Sequence, residues 1–155
     1  MIQDFFVKGV ARPVSRPRVF TVHGITRGVR NPKDVIWEKS IIEQVQRKKP
    51  YCFQREIPLK VVCFAFYKKP QNATYSTAIS HNIGDNDNWG KALLDALQSR
   101  TVKVGKLKIK QKGLCFEDDS QITDLICRKR YSADGTEFVI IRVTDELDNK
   151  ECEWL

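Results

Sequence analysis

Apolar and polar positions change period several times along the chain, and each change predicts an element. Asp4 to Val10 is rich in residues suited to a pleated surface and reads as a first strand. From about Asp34 to Lys48, Trp37, Ile41 and Val45 recur at helical spacing with Ile42 beside them, and Pro50 stops the run. Leu59 to Lys68 is apolar on both parities through Val61-Val62-Cys63-Phe64-Ala65-Phe66, the pattern of a central strand. Trp89, Leu93 and Leu97, with Ala92 and Ala96, mark a helix of about three turns whose cap is Asn86 or Asp87. Val102 and Val104 alternate with lysine, and beyond Gly105 the alternation resumes in the opposite parity at Leu107 and Ile109. Such a flip predicts a hairpin turning at Gly105-Lys106. Ile122 to Tyr131 alternates as a strand, Asp134-Gly135 is a hairpin turn signal, and Phe138 to Val143 returns. The expectation is an α+β domain: a mixed sheet of about four main strands, two main helices and an inserted basic β-hairpin.

Charge changes this picture by adding direction. Lysine and arginine total 27 against 19 acids, a formal charge of +8, which favours a polyanionic partner. No acid occurs from Phe5 to Lys33, while Lys8, Arg12, Arg16, Arg18, Arg27, Arg30 and Lys33 do. With Pro13, Pro17 and scattered glycines this stretch reads as an extended, irregular basic loop, suited to gripping phosphates or simply to being solvated. Arg100, Lys103, Lys106, Lys108, Lys110 and Lys112 make a second acid-free segment. Its lysine-faced hairpin either clamps nucleic acid or protects a sheet edge from aggregation. Beyond Asp145 the sign reverses, so residues 145–155 form an acidic tail after a domain of residues 1–144; the tail either folds over the basic surface or is disordered.

Other chemistries are poorly supported. The five cysteines include no Cys-x-x-Cys pair and only His23 and His81 accompany them, so structural zinc and histidine catalysis are disfavoured. Small core or strand cysteines in a reducing cytosol explain them better. No apolar run approaches a bilayer span, and Met1-Ile2-Gln3-Asp4 lacks a signal-peptide start, so the expected location is cytoplasmic.

The candidate chemistry lies between Gly84 and Asp119. Asp87, Lys91 and Asp95 are four apart and share one helix face, with Asp85 just ahead. Hard divalent cations prefer carboxylate oxygens, and two aspartates from the start of the helix plus one from Asp118-Asp119 would form such a site. Each element alone reads as well as a helix cap or a solvated turn. Their pairing, with a lysine one turn into the helix, tips the balance toward metal-assisted hydrolysis. Gly90 weakens the first helical turn by roughly 1 kcal/mol relative to alanine, which suggests a close contact there.

Asp85-x-Asp87-Asn88-x-x-Lys91, then Asp95-Ala96-Leu97, then Asp118-Asp119-Ser120-Gln121-Ile122 resemble the RusA-type Holliday junction resolvases, small endonucleases of bacteria and their phages. The run from Arg12 to Val19 also looks like the Arg-Pro-Arg element of phage-type members. Unlike compact members, this chain inserts Ser99 to Leu114 between the helix and the second acidic pair. The resemblance implies metal ligands at Asp85, Asp87 and Asp119 with Asp118 adjacent, and a catalytic lysine at Lys91. It implies Mg2+ as cofactor, with Mn2+ as the other candidate, and a homodimer that cuts a four-way DNA junction in paired steps. Arg12, Arg16, Arg18, Lys103, Lys106, Lys108 and Lys110 are the candidate DNA contacts. A non-catalytic basic DNA-binding module, or a phage accessory protein, is the alternative.

Overall fold

The computed structural model describes residues 1–13, 15, 18–74, 78 and 86–147, with the side chains of residues 27, 86, 87 and 103 left out of the description. Asp85, Arg16, Tyr75, His81, Cys152 and the tail beyond residue 147 therefore lie outside the described residues.

A four-stranded mixed sheet forms the frame: β1 (Ile2–Lys8), β8 (Phe138–Thr144), β4 (Leu59–Tyr67) and β7 (Ile122–Tyr131), in that spatial order. β8 runs antiparallel to both β1 and β4, whereas β4 and β7 are parallel. β4 is central, as its two-sided apolar pattern requires. Leu59, Val61, Cys63, Ala65 and Tyr67 are buried on one face, and Val62, Phe64 and Phe66 are half-buried on the other.

The hairpin expected between Ile122–Tyr131 and the returning strand does not form, because β4 lies between the two. Their connection crosses the end of β4 instead, where Ser132 N–H donates to Tyr67 O at 2.9 Å. Two strand spacings amount to about 10 Å, well within reach of six residues. Asp134 still shapes this crossing, its carboxylate accepting from Thr136 N–H at 2.9 Å. Alternation reports which face of a strand is buried and says nothing about which strand lies beside it.

Both helices cover one face of the sheet. α1 (Pro32–Gln46) starts with Asn31 as N-cap, its side chain accepting from Lys33 N–H, and buries Trp37, Ile41 and Val45. α2 (Asn86–Leu97) buries Trp89, Leu93 and Leu97 completely. Since α2 begins at Asn86, Asn86 and Asp87 lie in its first turn, one and two steps past the cap position expected for them. Phe53 and Phe116, joined by an isolated parallel bridge, complete the core. Phe6, Phe138 and Phe66 stack across the opposite face at centroid spacings of 4.8 and 4.4 Å.

Two hairpins stand out from this body. The inserted one is as expected: β5 (Arg100–Val104) and β6 (Leu107–Gln111) pair so that Val102 faces Ile109 and Val104 faces Leu107. The other corrects the reading of Arg12 to Lys33 as an irregular loop. β2 (Arg18–Val22) and β3 (Ile25–Val29) form an antiparallel ribbon, so Arg18 opens a strand. His23 and Gly24 both adopt positive φ, 50° and 75°, as a tight two-residue hairpin turn demands. No described helix is long and apolar enough to cross a membrane.

Candidate active site

Lys91, Asp95 and Gln98 recur at i, i+4 and i+7 on α2, so they share one face of it. Lys91 is exposed and Asp95 is half-buried. Burial raises the Asp95 carboxyl pKa; Lys91 opposes that, and the carboxylates of Asp119 and Glu38 push it further up. Asp119 thus faces Asp95 closely enough to repel it. Gln98 joins the two, donating to Asp95 Oδ1 at 3.1 Å and accepting from the Asp119 backbone N–H at 3.1 Å.

The turn that presents Asp119 is a capping box. Residues Asp119–Gln121 form one 3-10 turn, with the Asp118 side chain accepting from Ser120 N–H and the Gln121 side chain accepting from Asp118 N–H. Hydrogen bonds from Ser120, its side chain first and its backbone N–H second, hold the Asp118 carboxyl below its ordinary pKa. Gln121 is buried and fully engaged. Its Oε1 accepts from Glu117 N–H at 2.8 Å as well, and its Nε2 donates to Gln54 O at 2.7 Å and Ile57 O at 3.2 Å. The Asp-x-x-Gln spacing is therefore a structural lock that fixes an exposed carboxylate to a buried amide.

The insertion after α2 leaves this geometry undisturbed because it closes on itself. Arg100 pairs with Gln111 at its base, and Leu114 N–H donates to Leu97 O at 2.9 Å. Ser99 N–H then donates to Glu117 O, and Gly113 N–H to Ser99 Oγ at 2.8 Å. Gly113 is indispensable to the closure, since a Cβ there would lie 1.8 Å from Phe116 O. The chain resumes beside the last turn of α2 as though the hairpin were absent.

At its other end α2 meets β7 directly. A Cβ on Gly90 would lie 2.5 Å from Cys127 Sγ and 3.8 Å from Leu125 Cδ2. The close contact suggested by that glycine is present. With the first turn against the middle of β7 and the last turn beside the segment preceding β7, helix and strand run in opposite directions. Position 87 is then about 16 Å along the helix axis from Gln98, where Asp119 is held.

A group unforeseen as functional flanks the stripe. Glu38 of α1 bonds Arg30, which follows β3, and Arg100 NH1 at 2.9 Å, tying both hairpins to the helix. Arg30, Glu38, Asp95, Gln98 and Arg100 line an open cleft of about 680 Å³ with Thr101 and Val102. Asp95 was within reach of sequence reasoning, being four residues beyond Lys91. Glu38 carried no signal, because nothing in α1 indicates which exposed acid will meet an arginine 62 positions away.

Of the expected site residues, the structure brings Lys91 and Asp119 around Asp95. Asp85 and the Asp87 side chain fall outside the described residues. Among the described residues, no group of three or more His, Cys, Asp or Glu forms an ion site. What does gather there is a set of acids, with Asp119 and Glu38 each repelling the Asp95 carboxylate. Of the DNA-contact candidates, Arg18, Lys106, Lys108 and Lys110 are exposed on the two hairpins. Arg12 places its Nε 4.0 Å from buried Asp34, so part of its charge is spent within the fold. The side chain of Lys103 is outside the description.

A family model described as endodeoxyribonuclease RusA matches residues 9–144. A search of curated proteins finds no match.

Proposed function

The chain belongs to the RusA endodeoxyribonuclease family, and from that premise we propose that it resolves four-way DNA junctions by paired, Mg2+-dependent phosphodiester cleavage. The observation that carries the reading is the face of α2 bearing Lys91 and Asp95, with Asp119 held against it, where an ammonium group stands beside carboxylates that repel one another.

In this reading Asp85, Asp87 and Asp119 would hold the ion, with Asp118 as a neighbour and Mn2+ as an alternative metal. When bound, Mg2+ lowers the pKa of a water nucleophile and offsets charge on the scissile phosphate. Lys91 supplies a further positive charge toward the phosphate oxygens as the leaving oxygen develops. Gln98 and Gln121 keep Asp119 in place, so that the carboxylate needs little reorganisation. Arg12, Arg16, Arg18, Lys103, Lys106, Lys108 and Lys110 contact the phosphates of the junction arms, each released counterion adding to affinity. Residues 1–144 form the nuclease domain and 145–155 an acidic tail.

Two related cuts call for a two-fold homodimer. The separation of about 16 Å between position 87 and Gln98 supports the same arrangement. Two copies of this helix face laid antiparallel bring Asp119 of one chain to the start of α2 in the other. The residues that would hold each ion then come from both protomers.

The test uses a four-way junction and a linear duplex of the same sequence. The wild-type protein cuts the junction only with Mg2+ and leaves the duplex intact. Asp87→Asn and Asp119→Asn each bind the junction and fail to cut. Mixing the two variants under subunit exchange restores nicking if sites are shared, because a hybrid dimer keeps one complete set. Cutting by wild-type protein without a divalent ion would refute the metal mechanism, and silent hybrids would refute the shared site.

A further inference from the structure

Gly90 lies between Asp87 and Lys91 in the turn that carries both, and it is buried against β7. The space a side chain would need is filled by Cys127 Sγ, 2.5 Å from an ideal Cβ, too close for both atoms to coexist. Nor is that sulfur free to swing aside without loss. Cys127 is in direct register with Cys63 on β4, and the two thiols are hydrogen-bonded, with Cys63 fully buried. Sulfur on the strand and hydrogen on the helix are thus complementary halves of one packed contact.

We propose that Gly90 and Cys127 together are positioning residues for the nuclease reaction, setting how deeply the acid- and lysine-bearing first turn of α2 seats on β7. This rests on the function proposed above and adds to it a pair outside the chemistry. β7 begins directly after the Asp119 turn, so one strand fixes both ends of the stripe: Asp119 through Gln121 and Gln98, and Lys91 through this contact. A methyl group on residue 90 lifts the first turn from the strand and moves Lys91 relative to the scissile phosphate. A misplacement of about 1 Å at a reacting centre is worth on the order of 100-fold in rate. DNA affinity, which comes from the hairpin cations, stays where it is.

A transposition across the interface tests this. In Gly90→Ala the turnover rate on a four-way junction drops at least tenfold, on the scale set by such misplacements, while the dissociation constant of the junction stays within about twofold. Cys127→Ala alone empties the space facing Gly90 without forcing the elements apart, and it slows the reaction less than Gly90→Ala does. The double variant puts a methyl where the sulfur was, a volume-conserving exchange, and recovers the rate to within about threefold. Its melting temperature stays within about 2–4 °C of wild type, because the helix preference of alanine over glycine offsets the lost thiol contact. Full activity in Gly90→Ala, or a double variant that melts normally and stays slow, overturns the proposal. Should the wild-type protein cut nothing, the nuclease reading has failed, and melting alone decides the contact: a destabilised Gly90→Ala rescued by Cys127→Ala supports it, and additive shifts overturn it.

Discussion

At its first turn α2 meets β7 through a missing side chain and a sulfur atom, while at its last turn Gln98, Ser99 and the backbone of Leu97 hold the following segment by hydrogen bonds. The first attachment responds to tenths of an ångström and is indifferent to charge. The second tolerates small shifts and depends on every donor finding its acceptor. A helix anchored in these two ways can keep a lysine and a distant carboxylate in register without burying either.

The contrast can be pressed from its polar end. The largest effect is expected from Gly113→Ala, whose Cβ would meet Phe116 O at 1.8 Å with only backbone to yield. A loss of about 3 kcal/mol or more in urea unfolding is expected; a wild-type midpoint would mean the closure relaxes freely. Gln121→Ala comes next. It leaves part-buried backbone groups of Gln54, Ile57, Glu117 and Asp118 without their side-chain partner, for a loss of about 2–3 kcal/mol by the same measurement. Gln98→Ala removes only the link between Asp95 and Asp119 and costs about 1 kcal/mol. Its cleavage rate nevertheless falls more than that stability change accounts for, and an unchanged rate would show that Gln98 does not position Asp119.

The smallest effect belongs away from α2, at the exposed Asp4–Arg142 pair, 2.7 Å apart on the sheet. The bond from Arg142 holds the Asp4 carboxyl below its ordinary value of 3.8. A depressed carboxyl stabilises the fold above that ordinary value and ceases to as pH falls through the lower, native one. Arg142→Ala therefore melts slightly below wild type at neutral pH, and the two converge in acid below 3.8. A gap that persists in acid would assign the loss to packing instead.

What the sequence disclosed follows from which residues had a partner to face. Trp89, Leu93 and Leu97 repeat because they pack on one sheet, and the parity change at Gly105 survives as the pairing of Val102 with Ile109. The β2–β3 ribbon was illegible for the opposite reason. Val19, Phe20, Val22, Ile25 and Val29 are all exposed, so no buried face imposed a period, and Pro13 and Pro17 drew attention from the His23-Gly24 turn. At the site, Lys91, Asp118 and Asp119 were visible as a spaced motif. That Asp118 and Gln121 are mutual caps, and that Glu38 joins two arginines across the cleft, depends on contacts between separate elements that no local pattern encodes.

Because the β5–β6 hairpin departs from Leu97 and returns to it, its outer end carries none of the mechanical connection between α2 and Asp119. It is an appendage in the engineering sense, detachable at a fixed joint. Shortening it, lengthening it or exchanging its lysines leaves the spacing of Lys91, Asp95 and Asp119 as it is, so the hairpin and the acidic face are free to evolve at different speeds.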